Sequence, residues 1–263
     1  MSQTDTIGLV LSGGGTKGLA HAGVLKFLEE QQIKPTQIAG TSAGAIVGSL
    51  YAFGKTPEEI LAFFKAIYFF HWRHFTIRKA GIIDSDSFKN YFQGFFKEAT
   101  IGDATTDLHI TATDLIKGRL KIFDKDTLVA DALLASSSFP GVISPYNING
   151  DLYSDGGILN HFPTDVLLGK CDTMIGVYVS PINDVQAKDL NSIRAVTVRA
   201  FDLLSANNHL QKFNNCDWLI EPKQLSHYGT FETNKSKMDE IFNIGYETAK
   251  KNFKEFKGLN VPS

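Results

Sequence analysis

The chain is short of cysteine, methionine and tryptophan, has almost no net charge and contains no long apolar run. Its 263 residues hold only two Cys, three Met and two Trp. Cys171 and Cys216 cannot build a disulfide framework and lack metal-type spacing, so both read as reduced and structural. The 26 Lys and Arg against 28 Asp and Glu give a net charge of −2, which leaves no basic footprint for nucleic acid. No apolar run reaches the roughly 18 residues of a membrane helix. The chain is polar up to Thr6, and the apolar run that follows is too short for a secretory leader. The expectation is a cytoplasmic protein. Internal repeats and low-complexity linkers are also lacking.

What remains is ordinary for a globular protein: 43% apolar and 21% charged residues, long enough to bury a full core. We read residues 1–263 as a single domain. The short apolar run at 7–12, ending in glycines, suits a buried strand. A helix apolar on most sides follows over 17–32, then a strand over 37–40 and a small-residue helix over 43–53. Thr56-Pro57-Glu58-Glu59 marks another helix start. Further strands are expected at 108–112, 120–123, 173–179 and 218–220, and further helices near 84–97, 131–138, 162–168, 192–209 and 235–256. Strands alternating with helices predict an α/β fold: a mostly parallel central sheet with helices on both faces, a three-layer sandwich. The first two strands both run into glycine turns, so their motifs meet at one sheet edge.

The second of those turns, Gly40-Thr41-Ser42-Ala43-Gly44, is a G-x-S-x-G. Between a strand and a helix it presents a nucleophilic serine on a sharp turn. Gly40 and Gly44 permit the close approach, and the helix N-terminus favours developing negative charge at Ser42. The first turn is Ser12-Gly13-Gly14-Gly15-Thr16-Lys17-Gly18. It fits a dinucleotide loop in spacing, yet the acidic residue such a loop needs is replaced by Gly40-Thr41-Ser42. It is no P-loop either, since no G-K-[ST] follows. A nest of backbone N–H groups for an oxyanion suits the serine beside it.

A serine needs a base. Asp155, in Asp155-Gly156-Gly157, is the leading candidate, although an Asp-Gly pair is also a common turn. A Ser-Asp-His order would instead recruit His161, His209 or His227, none of which lies in a distinctive setting. His21, on the first helix, reads as structural.

With these motifs the chain resembles the patatin-like phospholipases, specifically the compact bacterial kind. The resemblance rests on the glycine loop with Leu19-Ala20-His21-Ala22-Gly23-Val24-Leu25, on the elbow at Ser42, on Ala135-Ser136-Ser137-Ser138-Phe139-Pro140-Gly141-Val142, and on Asp155-Gly156-Gly157 followed by Asn160 and Pro163. It implies a patatin-like fold and a Ser42–Asp155 dyad without catalytic histidine. It implies an oxyanion hole from the loop of Gly13, Gly14 and Gly15, chiefly the last two. Lys17 stands where the family carries Arg or Lys, in keeping with anion handling. The loop opens on Leu11-Ser12 where many members have Asp, and Gly157 stands where others have Ala.

The resemblance also implies hydrolysis of lipid carboxylic esters through an acyl-serine, with no cofactor and no metal. The partner is then a lipid or small ester, with transient contact to a membrane surface. A transacylase with the same dyad, or a lipid-binding protein without catalysis, are the alternatives. Nine of the 20 phenylalanines crowd into residues 61–97, with Tyr68, Trp72 and Tyr91. This segment reads either as a cover over the site that meets the acyl chain or as core packing. His71, Arg73, His74, Arg78 and Lys79 make its middle basic, which suits phosphate head groups or a solvated face.

Overall fold

The computed structural model describes residues 5–70, 86–207, 210–254 and 256. Strand β1 (Ile7–Leu11) is an interior strand, apolar along its whole length and paired on both sides. It runs parallel to β2 (Gln37–Thr41) and to β7 (Thr173–Val177). Sheets covered on both faces select such continuous apolar strands. β3 (Asp107–Asp114) extends the sheet parallel beyond β2, and β8 (Trp218–Ile220) extends it beyond β7. Antiparallel partners complete the pairing of β3: β4 (Arg119–Ile122) lies on the edge away from β2, and β6 (Asp151–Asp155) lies on the β2 edge beyond the end of that strand, where it pairs in turn with β5 (Tyr146–Ile148). The order is β5-β6-β3-β2-β1-β7-β8, with β4 beside β3.

One face carries the larger core. Leu9, Leu11 and Ile38 point into it, against α1 (Leu19–Glu30), α2 (Ala43–Ala52), α3 (Pro57–Phe70), α4 (Asp86–Phe96), α5 (Val129–Ser137) and α9 (Lys235–Phe253). The alternate strand residues Val10 and Ala39 face a smaller core with Phe162, Val166, Leu167, Met174 and Tyr178. The chain around α6 (Gly157–Asn160), α7 (Ile193–Asn207) and α8 (Leu210–Phe213) lies on that side. The three-layer α/β architecture is therefore as expected.

Three local expectations differ. The first helix begins at Leu19, after a 3-10 turn over Gly15–Gly18. Residues 162–168 form no α-helix. Pro163 leads into a single 3-10 turn at Thr164–Val166, while Phe162, Val166 and Leu167 fill the smaller core. The β5–β6 hairpin went unpredicted, although its turn, Asn149-Gly150, has φ of 52° and 93°, the signature of a two-residue hairpin. Of the aromatic segment, Phe63, Phe64, Phe92 and Phe96 are core residues, and Phe63 meets Tyr91 and Phe95 edge-on. Trp72, Phe75 and the basic residues 71–79 lie outside the described residues, as does His209. Both cysteines are free thiols, and burial pushes Cys216 up to about 12. No helix among the described residues is long and apolar enough to cross a membrane.

Candidate active site

β3 sets the frame of the site. Thr41, the last residue of β2, is in register with Thr111, and Asp155, the last residue of β6, is in register with Ala112. One strand thus aligns the ends of β2 and β6. Beyond Thr41 the chain must reverse from strand into α2 within one residue. Ser42 makes that turn with φ 53° and ψ −122°, a conformation costing a non-glycine residue about 1–3 kcal/mol. A Cβ on Gly40 would come 2.6 Å from the Ala45 amide, and one on Gly44 would strike the carbonyls of Leu11 and Ser12. These two glycines let the turn press against β1. The Ser42 amide donates to Ser136 Oγ at 2.8 Å, and the Ser42 carbonyl accepts from Ile46 at 3.0 Å.

The half-buried Ser42 Oγ donates to Asp155 Oδ2 at 2.6 Å. The Asp155 carboxylate is otherwise enclosed, its residue only 1% exposed. Oδ1 accepts from the Gly157 amide at 2.8 Å. Burial pushes the Asp155 carboxyl up to about 6, against the opposing pull of the hydrogen bonds from Ser42 and Gly157. A carboxylate so placed is ionised at neutral pH yet far more basic than one in water. Gly156 and Gly157 make the room: a Cβ on the first would come 2.7 Å from the Thr111 carbonyl, and one on the second 2.8 Å from the Phe201 ring.

The glycine loop faces Ser42 from β1. Ser12 is buried and anchors it, its Oγ donating to the Gly13 carbonyl and accepting from the Val179 amide. The Ser12 carbonyl accepts from His21 Nε2 at 2.8 Å. His21 is fully buried, and burial pushes it down to about 4, so it is neutral and structural. Further on, the Thr16 amide donates to the Thr230 carbonyl and the Lys17 amide to the Gly14 carbonyl. Gly13 corrects the expected donor set: its amide is already spent on the His161 carbonyl at 3.0 Å. The amides of Gly14 and Gly15 have no acceptor among the described residues. Gly18 brings the loop onto α2, where a Cβ would come 2.6 Å from Ala43 Cβ. Lys17 is buried, which lowers its pKa, and the charge of Asp202 on α7 works against that shift.

Of the alternative bases, His161 lies close by, but Ser42 Oγ is bonded to Asp155. The His161 ring packs edge-on against Tyr178 and Phe201, with centroids 5.9 and 6.3 Å away. His227 sits on a 3-10 turn beside α9, in a groove it shares with Tyr228 and Glu240. The sequence had suggested no role for Ser136 or Asp202. Ser136 enters through the hydrogen bond from the Ser42 amide, 94 residues away in the chain, and Asp202 through the effect of its charge on Lys17. Among the described residues no three His, Cys, Asp or Glu side chains gather as metal ligands.

The patatin-like phospholipase family model matches residues 9–168. The chain is 30% identical over 233 residues to an uncharacterized NTE family protein of Mycobacterium bovis, covering 80% of this chain and 62% of that protein. It thus spans less than two thirds of that relative. It is 27% identical over 285 residues to lysophospholipase nte1 of Aspergillus fumigatus, covering 95% of this chain and 18% of that one. Among solved structures, VipD from Legionella pneumophila superposes with a TM-score of 0.64 at 15% identity, over 97% of this chain and 68% of that one. The type III effector ExoU superposes with 0.50 at 15% identity, over 98% and 54%. The chain belongs to the patatin-like phospholipase family.

Proposed function

We propose that the protein is a serine acyl hydrolase that cleaves carboxylic esters of lipids, of the phospholipase A, lysophospholipase or esterase type. The observation that carries this reading is the 2.6 Å hydrogen bond from the strained Ser42 to the enclosed Asp155, together with two glycine-loop amides that have no acceptor among the described residues. Family membership and the lysophospholipase among its relatives support the lipid ester as substrate class.

In the proposed reaction Ser42 Oγ attacks the ester carbonyl as its proton passes to Asp155 Oδ2. The negative charge that develops on the carbonyl oxygen is met by the Gly14 and Gly15 amides, a stabilisation already in place before the reaction begins. The tetrahedral species collapses, and Asp155 returns the proton to the departing alcohol. That leaves an acyl-serine. Water then gives a proton to Asp155 and attacks the acyl carbon, and Ser42 takes the proton back as the fatty acid leaves. Every proton step uses one carboxylate, so a pKa raised toward the working pH serves both directions.

The test is direct. The purified protein is given p-nitrophenyl esters and monoacyl and diacyl phospholipids, and a fluorophosphonate is mapped by mass spectrometry. Ester turnover with label on Ser42 is expected. Label on another serine, or no turnover of any ester, contradicts the proposal.

A further inference from the structure

The carboxyl end of α5 touches both partners of the Ser42–Asp155 pair, and the proposed reaction uses neither contact. Ser136, fully buried, accepts the Ser42 amide on Oγ at 2.8 Å. Its carbonyl accepts from the Gly156 amide at 3.4 Å. The Ser138 carbonyl accepts from the Asp155 amide at 2.9 Å and from Ser154 Oγ at 2.6 Å. Ser138 Oγ donates to the Leu134 carbonyl at 2.8 Å, within its own helix end. A single helix terminus therefore grips the backbone of the nucleophile, of the base and of the residue after the base.

The grips differ in kind. Asp155 is held by a main-chain carbonyl and by its strand pairing, which no side-chain change removes. Ser42 is held at its amide by one hydroxyl. It sits at φ 53°, where a serine stays only if its surroundings over-determine the conformation. Its carbonyl is committed to α2 through Ile46. The amide is then the group that fixes how the peptide before Ser42 is turned. A donor left without its acceptor at such a site reorients to find another, and Oγ, on the same residue, moves with it.

We infer that Ser136 is a positioning residue for the nucleophile: its hydroxyl locks the left-handed turn at Ser42 and keeps Oγ in reach of Asp155. The inference rests on the Ser42–Asp155 dyad proposed above. Ser136 acts through Ser42, so its loss reduces kcat and leaves KM alone.

The experiment measures Ser136→Ala and Ser136→Cys on a p-nitrophenyl ester, with Ser42→Ala and Ser49→Ala beside them. Cysteine keeps nearly the volume of serine but is a weak acceptor, so it separates the hydrogen bond from packing. Both Ser136 variants are expected to lose about ten- to a hundredfold in kcat, the scale of a sub-ångström to 1 Å misplacement. Their KM stays within about twofold. The hydrogen bond from Ser42 holds the Asp155 pKa down, so loosening it moves the acid limb of kcat to higher pH. Ser49→Ala removes a buried hydroxyl without a hydrogen-bond partner among the described residues, and its kcat is expected to match wild type. If Ser136→Ala fails to fold, the cysteine variant carries the test. Wild-type kcat and an unmoved acid limb in Ser136→Cys, with Ser42→Ala inactive, overturn the inference. An active Ser42→Ala overturns the dyad itself.

Discussion

Ser42 and Asp155 share one short hydrogen bond, yet the chain brings them there under opposite stresses. Ser42 is half-buried and conformationally strained, with φ at 53° on a one-residue turn. Asp155 is relaxed at the end of a regular strand, but its carboxylate is enclosed and its pKa sits near 6. The cost at Ser42 is in the backbone, and the cost at Asp155 is electrostatic. Such costs are tolerated where function needs them. Substitutions on the two sides should therefore have the same effect on activity and different effects on stability.

The largest effect is on turnover. Ser42→Ala and Asp155→Asn are each expected to lower kcat on a short-chain p-nitrophenyl ester by roughly 10⁴-fold or more, since members of such a unit fail together. A folded variant of either kind with more than a few per cent of wild-type kcat would break the pairing. Next is the glycine loop that faces Ser42. A Cβ on Gly14 would come 2.7 Å from Val179 Cγ2 and must shift the amide. Gly14→Ala is expected to cost about 10²–10³ in kcat, the worth of one oxyanion donor. Near-normal turnover by steady-state kinetics would remove Gly14 from the site.

Stability sharpens the comparison. The Asp155 carboxyl rises from its ordinary 3.8 to about 6 on folding, so the native state holds its proton longer than the unfolded chain. This enclosure costs nothing below pH 3.8, its cost grows as pH rises toward 6, and it is complete above that. The full cost is about 3 kcal/mol, from about 1.36 kcal/mol per pKa unit. Urea midpoints should show Asp155→Asn gaining on wild type at pH 7.5 and losing most of that gain by pH 4. A difference that does not change with pH would contradict the electrostatic reading. On the nucleophile side the effect is smaller. Ser42→Gly should exceed Ser42→Ala in unfolding free energy by about 1 kcal/mol, because glycine accepts positive φ without strain. Equal midpoints would mean that the turn stores no strain.

The two sides also differed in how far they could be read from sequence. Ser42 and the glycine loop are local patterns, each a strand running into a glycine turn, and the sandwich follows from the alternation of strands and helices along the chain. Asp155 could be named only as an Asp-Gly-Gly. Its placement depends on β6 pairing antiparallel with β3, and the strand is too short and polar for periodicity to reveal. The Asn149-Gly150 turn was the available signal. A glycine in a nest looks free until its neighbour is known, and at Gly13 the His161 carbonyl takes the amide. The apolar spacing of Phe162, Val166 and Leu167 mimicked a helix, although these residues serve a core on one side of an irregular segment. Ser136 belongs to a recognisable segment, but only the fold shows which of its three serines meets Ser42.

The central claim is that Asp155, and no histidine, takes the proton of Ser42. The measurement that tests it most directly is kcat/KM against pH for wild type, His161→Asn and Asp155→Asn. The account predicts an acid limb near pH 6 in wild type, the value to which burial raises Asp155. His161→Asn should keep that limb and stay within about tenfold of wild-type activity, well short of the 10²–10⁴ a lost base costs. The residual activity of Asp155→Asn should show no such limb. A limb that vanishes in His161→Asn and persists in Asp155→Asn would make the histidine the base and contradict the account.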